Sequence, residues 1–193
     1  MKPSLSIPVI SLIFFSMVCH AAPISPTDAP SLTVEVYRVS DKGVGDKIGT
    51  VIIRKLGKKE GTLGVELIPD LRFLSSGYHG FHIHENPSCE AGKKDGKSIP
   101  ALAAGGHYDP DKTGRHEGPY GQGHKGDLPR LLVDEKGVAN TAIIAPRLTL
   151  KELSGRSLMI HAGADNFRDE PPMGGGGARI ACGVIKLGWN DFN

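Results

Sequence analysis

From Leu32 onward, apolar and polar residues alternate along the chain with the two-residue period of β-strands. Residues 32–39 alternate and are rich in β-branched side chains, which predicts a first strand. A second is predicted over 47–53, with Asp41-Lys42-Gly43 as the turn before it. In a third, over 62–69, Leu63, Val65 and Leu67 share one face. Further strands are predicted at 77–84, 131–133, 141–145, 157–160 and 178–186. One helical turn fits Thr149 to Leu153, with Leu150 and Leu153 on its buried side. Two stretches break the rhythm, Glu85 to Asp127 and Ala162 to Gly177. Loops of that length in a compact domain are usually functional. Short strands joined by glycine-rich turns predict an all-β sandwich or barrel rather than alternating βα units. No repeat of fixed period is present.

Composition narrows this further. A chain of 193 residues favours one domain, and 26 glycines with 14 prolines favour turns over long helices. A net charge of +2 gives no basic footprint for nucleic acid. Residues 1–21 read as a secretory signal: Lys2 is the positive start and residues 7–18 form an apolar segment too short to span a bilayer. Cleavage is expected after Ala21, leaving a mobile leader over 22–31 and a domain over 32–193. A lipoprotein signal modified at Cys19 is the alternative, although Val18 is bulky for such a site. Once the signal is gone, Cys89 and Cys182 remain. An even count in an exported chain suggests a disulfide, with two free buried thiols as the alternative.

The candidate chemistry lies in the two long loops and at their edges. His82 and His84 are one residue apart on a predicted strand, so both rings leave the same side, roughly 7 Å apart along the backbone. That spacing lets both grip one metal ion. His107, His116, His124 and Asp127 supply three nitrogens and an oxygen, the set a tetrahedral zinc site takes. His82, His84 and His161 suit copper(II), which prefers a tetragonal set and needs a fourth nitrogen. An imidazole has two ring nitrogens, so His107 could join both metals.

The chain resembles the copper/zinc superoxide dismutases of the exported bacterial type. The resemblance rests on Gly80-Phe81-His82-Ile83-His84, Gly105-Gly106-His107-Tyr108-Asp109-Pro110 and Gly123-His124-Lys125-Gly126-Asp127-Leu128-Pro129. It continues through Met159-Ile160-His161-Ala162-Gly163-Ala164-Asp165-Asn166 and from Gly174 to Ile185. It implies a Greek-key sandwich or flattened barrel of immunoglobulin-like architecture, and the family is itself a standard instance of that architecture. It implies dismutation of superoxide to dioxygen and hydrogen peroxide, one copper and one zinc ion per subunit, and a periplasmic location. By the same resemblance, copper takes His82, His84, His107 and His161, and zinc takes His107, His116, His124 and Asp127. Cys89 and Cys182 match the family disulfide, Arg179 the arginine that guides superoxide, and Asp165 the carboxylate linking His82 to His116. His79 lies on the opposite strand face from His82 and matches a structural histidine, so it is left out of the site. Lys93, Lys94 and Lys97 either steer the anion or form a solvated loop face. Asn166 to Met173 and the tail 186–193, with Trp189 and Phe192, depart from the family pattern. No stable membrane association is expected, and a homodimer is compatible with the sequence.

Two rival functions are weaker. A metal-buffering protein would not need Arg179 or a shared histidine. A zinc hydrolase would need a His-Glu-x-x-His helix, whereas Ser88 stands where the second histidine would follow His84-Glu85.

Overall fold

The computed structural model describes residues 31–57 and 64–186. The signal segment, the leader up to residue 30, residues 62 and 63 of the third predicted strand, and residues 187–193 lie outside the described residues. The chain runs β1 (Ser31–Ser40), β2 (Gly43–Lys55), β3 (Val65–Leu71), β4 (Gly77–His79), β5 (Phe81–His84), β6 (Gly92–Lys94) and β7 (Lys97–Ile99). It continues with β8 (Leu131–Val133), β9 (Ile143–Ala145), α1 (Leu150–Leu153), β10 (Arg156–His161) and β11 (Arg179–Ile185). Seven strands form one curled antiparallel sheet in the order β5-β10-β11-β1-β2-β3-β9. The pairings of β1 with β11 and β3 with β9 are long returns, as in a Greek key. β4 pairs with β8, and β6 with β7, as two small separate sheets.

Alternation predicts which side chains fill the core. On β1, Leu32, Val34 and Val36 are buried while their neighbours are exposed. Leu32 faces Ile53 and Val34 faces Val51 across the hairpin, so both strands present apolar residues to one side. The same cluster takes in Leu67, Phe81, Ile83, Leu158 and Ile160, then Leu131 and Val133 of β8. Each large side chain buried in this way contributes about 1.5–3 kcal/mol relative to exposure. The single turn of α1 forms as predicted, with Leu150 and Leu153 buried. Thr149 caps it: its hydroxyl accepts from the Glu152 N–H, and the Glu152 carboxylate accepts from the Thr149 N–H at 3.0 Å.

Two features differ from the sequence prediction. The strand predicted over 77–84 is broken at Gly80 into β4 and β5. Gly80 donates its N–H to Gly163 O at 2.8 Å and accepts from the His161 N–H at 2.9 Å. A Cβ there would lie 3.2 Å from His82 Cε1 and 3.3 Å from His161 Cβ, so a side chain at the bend would press on two candidate ligands. The loop after His84 also contains the hairpin β6–β7. Asp95 and Gly96 form its turn with φ of 51° and 76°, as two-residue hairpins favour. Lys93, Lys94 and Lys97 give this hairpin no apolar face, so periodicity could not reveal it.

The Cys89–Cys182 disulfide is formed, with Cα atoms 5.7 Å apart and 93 residues of sequence separation. It joins a second cluster with Val39, Ala101, Ala104 and Met159, and so ties the long loop to β11. Chain-entropy arguments assign roughly 4–5 kcal/mol to a crosslink of that span.

Candidate metal centre

β5 is buried on both faces. Phe81 and Ile83 enter the apolar core, and alternation sends His82 and His84 to the other side. The long loop returns twice to the free edge of this strand. Ile83 donates to Gly126 O at 2.9 Å and accepts from the Tyr108 N–H at 2.8 Å. Glu85 donates to Gly106 O at 3.1 Å, and Leu128 donates to Phe81 O at 3.2 Å. These bonds set His107 opposite His84 and Asp127 opposite His82. On the other side of β5, β10 ends at His161. A bulge there pairs His161 with Arg179 while Ile160 pairs with Ala181, which turns both residues toward the histidines.

The result is two sets of four donors sharing one ring. His82, His84, His107 and His161 form one, and His107, His116, His124 and Asp127 the other. Within each set the donor atoms lie within 4.8 Å of one another. The rings of His82 and His107 stack with centroids 3.9 Å apart.

Hydrogen bonds fix which nitrogen of each ring is free. His84 Nδ1 lies 3.0 Å from Gly105 O, and His161 Nδ1 lies 3.1 Å from Gly177 O. Carbonyls only accept, so both protons sit on Nδ1 and the Nε2 lone pairs are free. His82 and His116 each direct Nε2 at Asp165, at 2.5 and 2.8 Å, which frees Nδ1 of both. The Nδ1 of His82 and the Nε2 of His84 and His161 are buried with no hydrogen-bond partner, and the Nδ1 of His116 and His124 and Asp127 Oδ2 are buried close together without a well-aligned hydrogen bond. Six polar atoms buried around one spot without aligned hydrogen bonds would be costly unless a cation met them.

The spacings point the same way. His107 Nδ1 is 2.9 Å and His124 Nδ1 3.4 Å from Asp127 Oδ1, and His116 Nδ1 is 3.0 Å from Asp127 Oδ2. Ligands about 2.0 Å from a tetrahedral ion stand about 3.3 Å from each other. The donor set therefore fits zinc on this side and a nitrogen-preferring ion such as copper on the other.

Charge divides the centre in the same way. Burial, then the neighbouring His107, holds His82 and His84 well below the ordinary histidine pKa, and burial brings His161 down to about 4. These three rings are neutral at neutral pH, as metal binding requires. Burial also opposes charge on His116, but contacts with Asp127 and Asp165 outweigh it and raise the pKa to about 9. Asp127 is pulled far below the carboxylate range against its own burial by His107, His116 and His124. Asp165 is likewise lowered against burial by His116 and His82. The side holding Asp127 thus demands positive charge, while the side holding His82, His84 and His161 offers neutral lone pairs.

Arg179 is half-buried beside the neutral side. Its Nη1 donates to Ala101 O at 2.6 Å and its Nη2 to Gly105 O at 2.7 Å. Gly105 O also accepts from His84, so one carbonyl orients both the arginine and a candidate ligand. His79 lies outside the donor sets, with Nδ1 2.7 Å from His161 O and Nε2 2.8 Å from Ser75 O. The three lysines lie on the β6–β7 hairpin. Sequence reasoning missed Arg147, which donates to Gly123 O and His124 O, and Asp169, which accepts from the His116 N–H at 3.0 Å. Both act on backbone atoms, which leave no spacing signature.

The family profile described as Copper/zinc superoxide dismutase (SODC) matches residues 47–185. The Superoxide dismutase [Cu-Zn] of Brucella abortus is 52% identical over 163 residues, covering 83% of this chain and 91% of that protein. The solved Cu/Zn superoxide dismutase from Brucella abortus superposes with a TM-score of 0.75 at 52% identity, over 81% of this chain and 99% of that one. The solution structure of the monomeric copper, zinc superoxide dismutase from Salmonella enterica gives 0.70 at 52% identity, over 81% and 99%.

Proposed function

The chain belongs to the copper/zinc superoxide dismutase family, and we propose that copper is held by His82, His84, His107 and His161 and zinc by His107, His116, His124 and Asp127. The chain is an oxidoreductase that converts superoxide to dioxygen and hydrogen peroxide, with one copper and one zinc ion as its cofactors. What supports the residue assignment is the set of six buried donor atoms that make no aligned hydrogen bond, divided three and three between donor sets that share His107.

When bound, copper would supply reversible one-electron exchange with superoxide, and zinc, which is redox-inert, would supply charge and position only. The protein's own residues do the rest. Arg179, fixed by two carbonyls, holds its charge toward the copper side, where it would draw in and orient the small anion. His107 keeps Nδ1 toward Asp127, so its Nε2 is the atom that would carry a proton to the reduced substrate. Asp165 holds His82 and His116 in register across the centre. A metal-buffering role would leave the fixed position of Arg179 without a purpose.

We also propose export to the periplasm with cleavage after Ala21. The apolar segment at 7–18 supports it, and the Cys89–Cys182 disulfide suits an oxidising compartment.

His107→Ala should weaken both metals together. Metal content after dialysis against a chelator, with superoxide consumption in parallel, tests this. Zinc retained at wild-type affinity while copper alone is lost would overturn the shared-ligand assignment.

A further inference from the structure

Phe167 lies in the loop between β10 and β11, within the stretch from Asn166 to Met173 that departs from the family pattern, and its conformation is unusual. Its φ is 61°, the left-handed region that a bulky side chain rarely adopts. Such a conformation persists only where its surroundings fix it, and three contacts do so here. The Phe167 N–H donates to Asp165 Oδ1 at 2.6 Å, the oxygen that also accepts from His116. The ring lies against Gly118, where a Cβ would come within 2.8 Å of Phe167 Cγ. The Arg130 guanidinium lies 4.9 Å from the centroid of the Phe167 ring and 5.3 Å from that of Tyr78 on β4. Gly118 is two residues from His116, and Asp169 holds the His116 N–H.

We propose that Phe167, braced by Arg130 on Tyr78, is a positioning residue that latches the segment carrying His116 onto Asp165 and so keeps the ligands of both metals in register. The latch rests on the ligand assignment above. It acts at two places: its backbone N–H orients Asp165, and its ring packs on Gly118 and stops the 116–118 segment from sliding away. Arg130 is exposed, so it acts through cation–π stacking on Phe167 rather than through a buried charge.

The test uses the copper- and zinc-loaded protein. It measures zinc release to a chromophoric chelator, the copper electron paramagnetic resonance spectrum and the melting temperature. Phe167→Ala keeps the N–H to Asp165 but removes the ring, losing both its contact with Gly118 and its stacking on Arg130, and should speed zinc release about tenfold, more than loss of the stacking alone. It should also shift the copper spectrum, because His82 hangs from the same carboxylate. Arg130→Ala should speed release about two- to fivefold. Phe167→Tyr, which keeps the ring, should restore the wild-type rate. Val51→Ala, in the sheet core and away from the loop, should lower the melting temperature and leave release unchanged. Wild-type release from Phe167→Ala would overturn the latch, as would equal acceleration in Val51→Ala. Wild-type protein that takes up one metal instead of two would sink the ligand assignment and the latch with it, whereas two-metal uptake with an unaltered Phe167→Ala sinks the latch alone.

Discussion

Among single side chains, Asp165 occupies a position that no other residue can fill, since its two oxygens accept from Nε2 of both His82 and His116. Asp165→Asn would replace one acceptor with a donor facing an N–H. Zinc affinity should fall on the order of 10- to 100-fold, with a smaller loss for copper, as competition against a chelator would show. Unchanged affinity for both would mean that the rings are held by other groups. The candidate ligands were readable in the sequence because each sits in a short glycine-flanked motif whose residue types already suit a metal. Arg147, Asp169 and the carbonyls of Gly105 and Gly177 were not readable. They act by or upon backbone atoms that every residue possesses, so only the folded chain brings them to notice.

Among elements, the strands were the legible part, because a face packed on the core enforces alternation on β1, β2, β10 and β11. The break at Gly80 was hidden because Tyr78, Phe81 and Ile83 continue a strand-like run across it. Only the approach of Gly163 and His161 forces the bend. The β6–β7 hairpin was hidden for the opposite reason, since its side chains bury almost nothing. The loop after β10 is as sensitive as any strand. A Cβ on Gly174 would lie 2.1 Å from Asp165 Oδ1 and 2.5 Å from His116 Nε2, at a φ of +73°. Gly174→Ala should therefore expel Asp165 from between the rings, and zinc content after purification should fall well below that of wild type. Full zinc occupancy in this variant would show that the loop can shift without disturbing the centre.

For the whole molecule, the buried histidines link stability to pH. In metal-free protein, His82, His84, His107 and His161 bind protons less readily than in the unfolded chain, chiefly because they are buried, and histidines there titrate near 6.5. Their contribution is complete above that pH and is lost as pH falls, for His161 through about 4. His116, raised to about 9, works the other way: its contribution is complete below about 6.5 and fades as pH climbs through 9. The lowered Asp127 and Asp165 add stability that persists until pH drops below their ordinary range, near 3.8. Urea midpoints of metal-free protein should peak near pH 6.5 and fall more steeply on the acid side, where four lowered rings lose their contribution, than on the alkaline side, where one raised ring does. A midpoint still rising toward pH 5 would contradict this.

The way the long loop closes on β5 has one more effect. β5 ends the seven-stranded sheet, and among the described residues its outer edge is capped by the segments around His107 and Asp127. Those two residues are also candidate ligands, so removing the ions should loosen the cap and bare an unpaired strand edge beside Phe81 and Ile83. Such an edge is a template on which other chains can add. Metal starvation would then turn the enzyme into a seed for self-association, announced by faster hydrogen exchange at the Ile83 amide before any other part of the sheet opens.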